Sequence, residues 1–571
     1  MIKAKGEELI MVIQDILKPH GAYPNEIQME WYHRKTAFLH FGVNTFTNKE
    51  WGDGTEDPAI FNPTALDCRQ WMKALKRGGF TAAILTTKHH DGFCLWPSKY
   101  TEHSVKNSSY KNGNGDVVRE FVDACNEFGI KPGLYLSPWD RNHPQWGTKE
   151  YSDYYANQLT ELLTEYGTIY EMWWDGAGST SAVYDMKQWG DIIRNHQPMC
   201  FSYGFGDAAS YVDGRWVGNE IGVAGIDCFG TINESSVKNV IISELNMGKV
   251  DGTRFIPAES DVSIRPGWFY HEYQDNMVKS PEELVHYWFT SVGRNTGCNL
   301  NLPITQEGLI HEKDAKSVAK WQDYMEQIFL KNLLQDATVS GQAAISHEYA
   351  VENLLDSDED KFYVSDELHP TLTFELPEEV SFNCIRLDEK IELGHRVRNF
   401  VIEYEKDGEW KKIIERKCIG FCRSELFETV QAKKIRIRIT EAAMMPALKF
   451  FGIYMAPEHL VHYVPKEREE KVILTDFPTT EFIRCEDGVE INFGGVFPFN
   501  CVVFNGLDVD EYELLAFNGT TYDKICSGRS GCAFEVVHLE RIEGSYKIKL
   551  LIKGKAVKNK IEDYNIQVIS E

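Results

Sequence analysis

Up to about residue 330, short apolar runs alternate with longer helix-like segments, and this alternation limits the folds that the chain can adopt. The clearest strand-like runs are residues 36–41, 81–86, 131–136, 170–174, 199–203 and 299–302. Candidate helices between them are residues 65–77, 117–128, 151–166 and 186–196. Repeated strand and helix predicts a parallel sheet, and the length suits a (β/α)8 barrel. Periodicity alone would also allow an open, doubly wound sheet.

Polar residues at the ends of the predicted strands discriminate between these two sheets. They are His40, His89, His90, Asp140, Asp175 and Glu220. In a barrel, the carboxyl ends of all strands open on one face, so these side chains can meet in a single pocket. In an open sheet they would spread along an edge. Because these polar side chains can converge on one pocket only in a barrel, their positions favour the barrel.

Beyond residue 330 the pattern changes to short strands separated by polar turns, which is typical of a β-sandwich. A charged linker, residues 462–472, then precedes another β-rich segment. We therefore predict a multidomain α/β plus all-β chain: a (β/α)8-like (TIM) barrel over residues 1–330, then one or two β-sandwich domains. Their expected bounds are residues 331–458 and 473–571.

The net charge of the chain limits the classes of binding partner that are expected. The 571 residues carry 60 basic and 86 acidic side chains, a net charge of -26 that repels phosphate backbones and anionic lipid surfaces. Nucleic acid is therefore not an expected partner. No run approaches 18 apolar residues, so no membrane insertion is expected.

The cysteines and the N-terminus bear on the compartment. The 13 cysteines are scattered, without metal-ligand spacing, which favours reduced thiols in the core. Only a short apolar run, Leu9 to Ile13, follows the N-terminal charges. As the sequence stands we expect a cytoplasmic protein, and a periplasmic or secreted one if a signal peptide has been removed.

Two carboxylates stand out as candidates for chemistry. Asp175 closes the aromatic run that begins at Tyr170, and Glu220 closes a second strand-like segment. A pair of carboxylates presented in this way can split a glycosidic bond. A lone Asp at a strand end can instead cap a turn, but Trp173 and Trp174 favour a site where sugar rings stack on indoles. Glu259 is a rival for the second carboxylate.

The histidine pair and Arg215 each allow two interpretations. Adjacent residues on a strand point to opposite faces, so His89 and His90 are poorly arranged to share a metal ion, and no third ligand is suitably spaced. The two histidines are therefore expected either to hydrogen-bond sugar hydroxyl groups or to pack in the core. Arg215 is either a solvated loop charge or a group that holds a nearby nucleophile ionised.

Several motifs together resemble the α-L-fucosidases of glycoside hydrolase family 29. They are residues 40–46 (HFGVNTF), 50–54 (EWGDG), 85–93 (LTTKHHDGF), 134–140 (LYLSPWD) and 173–176 (WWDG). The resemblance covers about residues 25–310. The sequences of these motifs are closer to the subgroup that acts on α-1,3/4-linked fucose than to the broad-substrate subgroup.

This resemblance implies a retaining exo-α-L-fucosidase that removes α-1,3/4-linked fucose from branched, Lewis-type glycans or glycoconjugates, without a cofactor or catalytic metal. Asp175 matches the family nucleophile and Glu220 the acid/base, with Glu259 as the alternative acid/base. The residues expected to line the fucose pocket are His40, Glu50, Trp51, His89, His90, Tyr135, Arg215 and Trp268. Two alternatives stay open: a catalytically silent, lectin-like glycan-binding protein, and a fucosidase of broad linkage specificity.

Residues 331–458 resemble the discoidin-like (F5/8 type C) carbohydrate-binding sandwiches that often accompany such hydrolases. An Asp-rich loop, Asp356 to Asp360, could hold a structural Ca²⁺ ion, although acids of this kind are more commonly solvated. Residues 473–571 resemble no family, and nothing in the sequence indicates the oligomeric state.

Overall fold

The computed structural model describes most of the chain, with gaps concentrated toward the C-terminus. The described residues are 13–177, 184–204, 206–341, 343–356, 358, 360–465, 472–473, 481–485, 488–505, 509–518, 521–530, 534–553 and 566–570. The first twelve residues and positions 466–471 of the expected linker lie outside this set.

Eight parallel strands form the N-terminal barrel. In chain order the strands up to residue 301 are β1 Lys35–Leu39, β2 Ala82–Lys88, β3 Lys131–Leu136, β4 Glu171–Trp173, β5 Phe201–Tyr203, β6 Arg215–Trp216, β7 Thr231–Ile232, β8 Arg254–Phe255, β9 Ala258–Ser263 and β10 Gly297–Asn301. The sheet order is β5-β4-β3-β2-β1-β10-β9-β6, and β7 pairs with β8 as a separate ribbon. A parallel bridge from Tyr203 to Gly214 brings β5 beside β6, so the barrel is nearly closed. The predicted (β/α)8-like fold is confirmed.

The helices connect these strands. They are α1 Glu26–Tyr32, α2 Val43–Thr47, α3 Cys68–Arg77, α4 Val117–Phe128, α5 Lys149–Glu165, α6 Met186–His196, α7 Glu234–Lys238, α8 Ile242–Met247, α9 Pro281–Thr290, α10 Glu312–Ile328 and, after the barrel, α11 Glu458–Val461. Helix α4 shows why the sequence is predictive here. The Asp116 side chain caps its N-terminus and Gly129, at φ 63°, ends it in the left-handed region.

The barrel core has two layers. Apolar faces of the helices pack on the outside of the strands, around residues such as Trp71, Phe121 and Leu159. Aromatic side chains fill the interior: Phe38, Tyr135, Trp173, Tyr203 and Trp216. Strands buried on both faces read as continuous apolar runs, and all seven residues of β2 are buried.

Two antiparallel sheets follow the barrel. The first contains β11 Thr338–Gly341, β12 Tyr363–Val364, β13 Thr371–Glu389, β14 Val397–Lys406, β15 Glu409–Arg416, β16 Arg423–Ala442 and β17 Ala447–Tyr454. The second, here called the terminal sheet, contains β18 Val472–Ile473, β19 Glu481–Cys485, β20 Gly488–Asn505, β21 Val509–Phe517, β22 Tyr522–Ser530, β23 Phe534–Lys553 and β24 Ile566–Ser570. Each has its own apolar core. The all-β character predicted beyond the barrel is confirmed.

Eleven cysteines in the described part of the chain are free, nine of them buried. Within that same part, every helix is too short or too polar to cross a bilayer.

Candidate active site

An open cavity lies over the carboxyl ends of the barrel strands and has about 750 Å³ of empty space, its mouth included. Its lining is Phe38, His40, Glu50, Trp51, His89, His90, Tyr135, Trp173, Asp175, Ala177, Tyr203, Trp216, Glu220, Asp261, Trp268 and Asn492. All but two of the predicted site residues, Arg215 and Glu259, are therefore brought together.

Asp175 reaches the cavity because side chains alternate along and just beyond β4. Glu171 and Trp173 point into the barrel, and Asp175 follows at the same period nearer the mouth. The Ala177 amide donates to Asp175 Oδ1 at 2.7 Å, and the Tyr135 hydroxyl donates to Oδ2 at 3.0 Å. The carboxylate is held in one orientation while 23% of its side chain stays exposed to the cavity.

Glu220 lies on a turn after β6, rather than at the end of a long strand as the sequence suggested. The strand itself is only Arg215–Trp216. The Asn219 side chain accepts hydrogen bonds from the amides of Ile221 and Val223, at 3.3 and 3.2 Å, which stabilises the turn. The Trp268 indole N–H donates to Glu220 Oε2 at 3.3 Å.

The two acids have different protonation equilibria. Burial raises the pKa of Glu220 to about 8, and the nearby charge of Asp175 adds to the effect. Burial also raises the pKa of Asp175, but the hydrogen bonds from Ala177 and Tyr135 oppose that rise by favouring the ionised form. Near neutral pH, Glu220 is therefore mostly a carboxylic acid, and Asp175 is the better placed of the two to be a carboxylate.

The tautomer of His40 follows from its hydrogen-bond partner. Asn301 Oδ1 lies 2.9 Å from His40 Nδ1, while the Asn301 amide nitrogen donates to Ser263 Oγ and to the Trp268 carbonyl. Nδ1 therefore carries the proton, and Nε2 is an acceptor. Burial lowers the pKa of His40 to about 3, so the ring is neutral.

His89 and His90 carry their protons on different ring nitrogens. Ser137 Oγ donates its proton to the Trp139 carbonyl at 2.7 Å and therefore accepts a hydrogen bond from His90 Nδ1 at 2.8 Å. Because the ring proton is on Nδ1, His90 Nε2 is an acceptor. The Asn44 amide donates to His89 Nδ1 at 3.4 Å, which leaves the proton of His89 on Nε2. Burial lowers the pKa of both rings well below the usual value. The cavity thus offers neutral donors and acceptors, which suit sugar hydroxyl groups.

Glu50 anchors the loop that carries Trp268. Its carboxylate accepts from the Trp268 amide at 2.8 Å and lies 2.7 Å from His271 Nε2. A Cβ on Gly267 would approach Glu50 Oε1 to 2.2 Å, so a larger residue at this position would have to displace the carboxylate. Glu50 lines the cavity as predicted, and its contacts fix the position of the indole beside Glu220.

Arg215 does not reach the cavity, contrary to expectation. Its guanidinium is fully buried and donates to the carbonyl groups of Leu245, Phe229 and Ile256. Arg215 precedes Trp216 on β6, and because Trp216 lines the cavity, the Arg215 side chain points to the opposite side of the strand. There it binds segments next to the β7–β8 ribbon. An ionising influence on Asp175 must come from elsewhere, and Tyr135 and Ala177 provide it.

Glu259 lies below the cavity. It accepts from Trp173 Nε1 at 2.9 Å and from Asn299 Nδ2 at 3.0 Å, and it has no exposed surface. Asp261 is two residues further along β9 and lines the cavity in its place, because two residues advance a strand by about 6.6 Å toward the mouth. The alternation in residues 259–261 was the sequence signal for Asp261, which sequence reasoning missed.

Sequence reasoning also missed several aromatic lining residues and Asn492, which belongs to the terminal sheet. No cluster of three or more His, Cys, Asp or Glu side chains in the described ranges is arranged to hold a metal ion. In the Asp-rich loop, Asp356 pairs with Lys361 at 2.6 Å and accepts from the Asp358 amide, while positions 357 and 359 lie outside the described residues.

Comparison with known proteins agrees with this geometry. Residues 19–328 match the sequence model of the α-L-fucosidase family. The chain is 39% identical to α-L-fucosidase 1 of Arabidopsis thaliana over 459 residues, which cover 77% of this chain and 90% of that protein.

Two solved structures extend the comparison. An α-L-fucosidase-like protein from Bacteroides thetaiotaomicron is 44% identical, with a TM-score of 0.76, and the match covers 77% of this chain and 99% of that one. A glycoside hydrolase family 29 fucosidase from Ruminococcus gnavus in complex with fucose is 30% identical, with a TM-score of 0.72, over 78% and 97% of the two chains. This chain therefore belongs to the α-L-fucosidase family, glycoside hydrolase family 29.

Proposed function

We propose that this chain is a retaining exo-α-L-fucosidase that releases α-1,3/4-linked fucose from branched glycans. Family membership supports α-L-fucosidase activity, and a relative that is 30% identical has been crystallised with fucose. The observation that carries the proposal is that Asp175 and Glu220 line one cavity in environments that separate their protonation states. Double displacement at a glycosidic carbon needs this pairing of carboxylate and carboxylic acid.

In the first step, Asp175 attacks the anomeric carbon of fucose. A bond forms between Oδ of Asp175 and that carbon as the bond to the leaving sugar's oxygen breaks, and Glu220 gives its proton to that oxygen. The carboxyl groups would need to lie about 5–5.5 Å apart for direct attack.

In the second step, the ionised Glu220 takes a proton from water. The water oxygen forms a bond to the anomeric carbon, the bond to Asp175 breaks, and Glu220 is again a carboxylic acid. Two inversions give net retention, so the fucose leaves as the α anomer. Apart from the attacking water, protein side chains supply the nucleophile, the acid and the base of both steps.

The neutral histidines fit the recognition of one terminal sugar. His89 offers an N–H donor, and His40 and His90 offer nitrogen acceptors, so together they match hydroxyl groups that both donate and accept. Hydrogen bonds that shorten as charge develops would stabilise the oxocarbenium-like transition state. Trp51 and Trp268 would cover the apolar methyl face of fucose.

Two finer assignments rest on the motifs in the sequence. The motif series taken together, residues 40–46, 50–54, 85–93, 134–140 and 173–176, is closer in sequence to the α-1,3/4 subgroup, which supports that linkage preference. Residues 331–458 resemble discoidin-like sandwiches, and the independent apolar core of the first antiparallel sheet is compatible with such a unit.

A linkage panel tests the proposal. Free fucose is measured after incubation with α-1,3-, α-1,4- and terminal α-1,2-fucosylated oligosaccharides, with Asp175→Ala as the inactive control. We expect release from the first two substrates at least tenfold faster than from the third. Equal rates would support a broad-linkage enzyme instead, and binding without any release would support the lectin-like alternative.

A further inference from the structure

One residue of the cavity comes from outside the barrel. Among the described residues that line it, Asn492 alone belongs to the terminal sheet, on β20. It is 7% exposed. Asn492 is thus a buried polar side chain that a separate sheet places in the cavity, and its role there requires an explanation.

Asn492 is the middle of a row that crosses three neighbouring strands. It pairs in register with Glu481 on β19 and with Lys547 on β23. Residues that face each other directly across antiparallel strands share one face of the sheet. The three side chains therefore form a continuous polar row on the face that meets the barrel.

The row contacts one short barrel segment. Lys547 Nζ lies 5.1 Å from the centre of the Trp51 ring, and Lys49 Nζ lies 4.0 Å from Glu481 Oε1. Asn492 and Trp51 line the same cavity. The contact is thus made by the predicted substrate-binding segment itself.

Lys547 is fixed in place. Its Nζ is 3.5 Å from Glu490 Oε1 and 4.5 Å from the ring centre of Phe517, and the Tyr522 hydroxyl donates to the same glutamate. Trp51 packs edge-on against His90 and Trp139, with ring centres 5.5 and 5.3 Å apart. Trp51 is therefore held between two barrel aromatic groups and a cation of the terminal sheet.

The position of Asn492 indicates what it would bind. The cavity floor is formed by barrel-interior residues such as Phe38 and Trp173, whereas the terminal sheet can only supply the outer wall near the mouth. In the exo-acting mode proposed above, a fucose ring over Asp175 would direct its leaving group toward that mouth. We propose that Asn492 is a specificity-determining residue that hydrogen-bonds the sugar to which fucose is attached, and that Lys547 is a positioning residue for Trp51. This inference rests on the fucosidase activity proposed above.

The test compares two substrates in the full-length chain: an α-1,3/4-fucosylated trisaccharide and an aryl fucoside whose leaving group has no hydroxyls for Asn492 to bind. For Asn492→Ala we expect kcat/KM on the trisaccharide to fall about tenfold more than on the aryl fucoside, chiefly through KM. Asn492→Asp, of the same shape without the N–H donors, should change the ratio in the same direction. Thermal unfolding of both variants checks that the sheet is folded.

Lys547→Met has a matched control in Lys524→Met. Lys524 lies in the same sheet and pairs with Glu513 at 3.6 Å, but it is exposed and absent from the cavity lining. We expect Lys547→Met to lower kcat/KM on both substrates severalfold, because Trp51 loses one support, and Lys524→Met to leave both rates unchanged.

The outcomes separate this inference from the proposed function. If the unmodified chain cleaves both substrates and folded Asn492 variants lose equally on both, or lose nothing, the specificity role is wrong. If the unmodified chain cleaves neither substrate, the fucosidase proposal itself fails. Equal effects of Lys547→Met and Lys524→Met would overturn the role of Lys547.

Discussion

At the scale of single residues, the difference between Asp175 and Glu220 comes from the hydrogen bonds that each receives. Asp175 accepts from a backbone amide and from the Tyr135 hydroxyl, and both bonds favour its charged form. Glu220 receives one longer bond from Trp268 and faces the charge of Asp175. Similar burial thus produces a carboxylate and a carboxylic acid in one pocket.

The pH profile should show the raised pKa of Glu220, about 8. The protonated form is the catalytic acid, so activity is present below that pKa and is lost as the pH rises through it. We expect kcat/KM on the trisaccharide to fall about tenfold per pH unit above about 8. In Glu220→Gln, assayed on an activated aryl fucoside, this alkaline limb should disappear. Persistence of the same limb would mean that another group is the acid.

Tyr135→Phe tests the hydrogen bond to the nucleophile. Because the Tyr135 hydroxyl lowers the pKa of Asp175, its loss should raise that pKa and move the acid limb of kcat/KM to higher pH. We expect about a tenfold loss of kcat/KM from a charge-assisted bond of this kind. Tyr155→Phe is the control, because its hydroxyl donates to the Leu136 carbonyl in the outer layer. A shift of the acid limb in both variants would contradict the assignment.

At the scale of elements, the sequence was most predictive where one physical signal dominates. Strand β3 and helix α4 were predicted at their observed bounds, because one is a continuous buried run and the other has a capping Asp and a terminal glycine. Strand β9 was missed because Glu259 and Asp261 interrupt its apolar pattern. The strand-like segment that Glu220 closes was predicted too long, because β6 has only two residues. On β9 the polar residue that reaches the cavity, Asp261, is thus one of the residues that hide the strand from a pattern of apolar side chains.

The register of β9 yields a test of the second acid. Glu259 lies one inward position below Asp261 and outside the cavity, so Glu259→Gln should keep most of the activity on an activated aryl fucoside. Glu220→Ala should lose it and recover with azide, giving α-fucosyl azide, since azide then attacks the covalent intermediate from the opposite face. Rescue confined to a Glu259→Ala variant would reverse the assignment.

At the scale of the whole molecule, the first antiparallel sheet is fastened to the barrel through specific polar contacts. Asn295 of the barrel accepts from the Phe421 amide at 2.7 Å and donates to the Cys228 carbonyl at 2.9 Å. His395 accepts from the Gly230 amide at 2.9 Å. These long-range contacts, and the contact of Asn492 with the cavity, join residues far apart in the chain, so no local pattern could predict them.

Gly420→Ala should loosen this junction. Gly420 has φ +69°, and an added Cβ would lie 2.3 Å from Asn295 Oδ1. Gly408, at φ +79° with open space around it, is the matched control for backbone strain alone, which costs about 1 kcal/mol. We expect Gly420→Ala to lower the unfolding temperature by clearly more than Gly408→Ala, consistent with a cost of about 2–4 kcal/mol. Equal shifts in thermal unfolding would show that Asn295 does not hold the junction.

The retaining mechanism is tested most directly by a proton NMR time course of the fucose released from an α-1,3/4-fucosylated trisaccharide. If Asp175 forms a covalent intermediate and Glu220 serves as acid and then base, the anomeric signal of α-fucose appears first and β-fucose follows only by mutarotation, while Asp175→Ala releases none. Initial release of β-fucose would contradict the double-displacement mechanism, and no release would contradict the fucosidase activity itself.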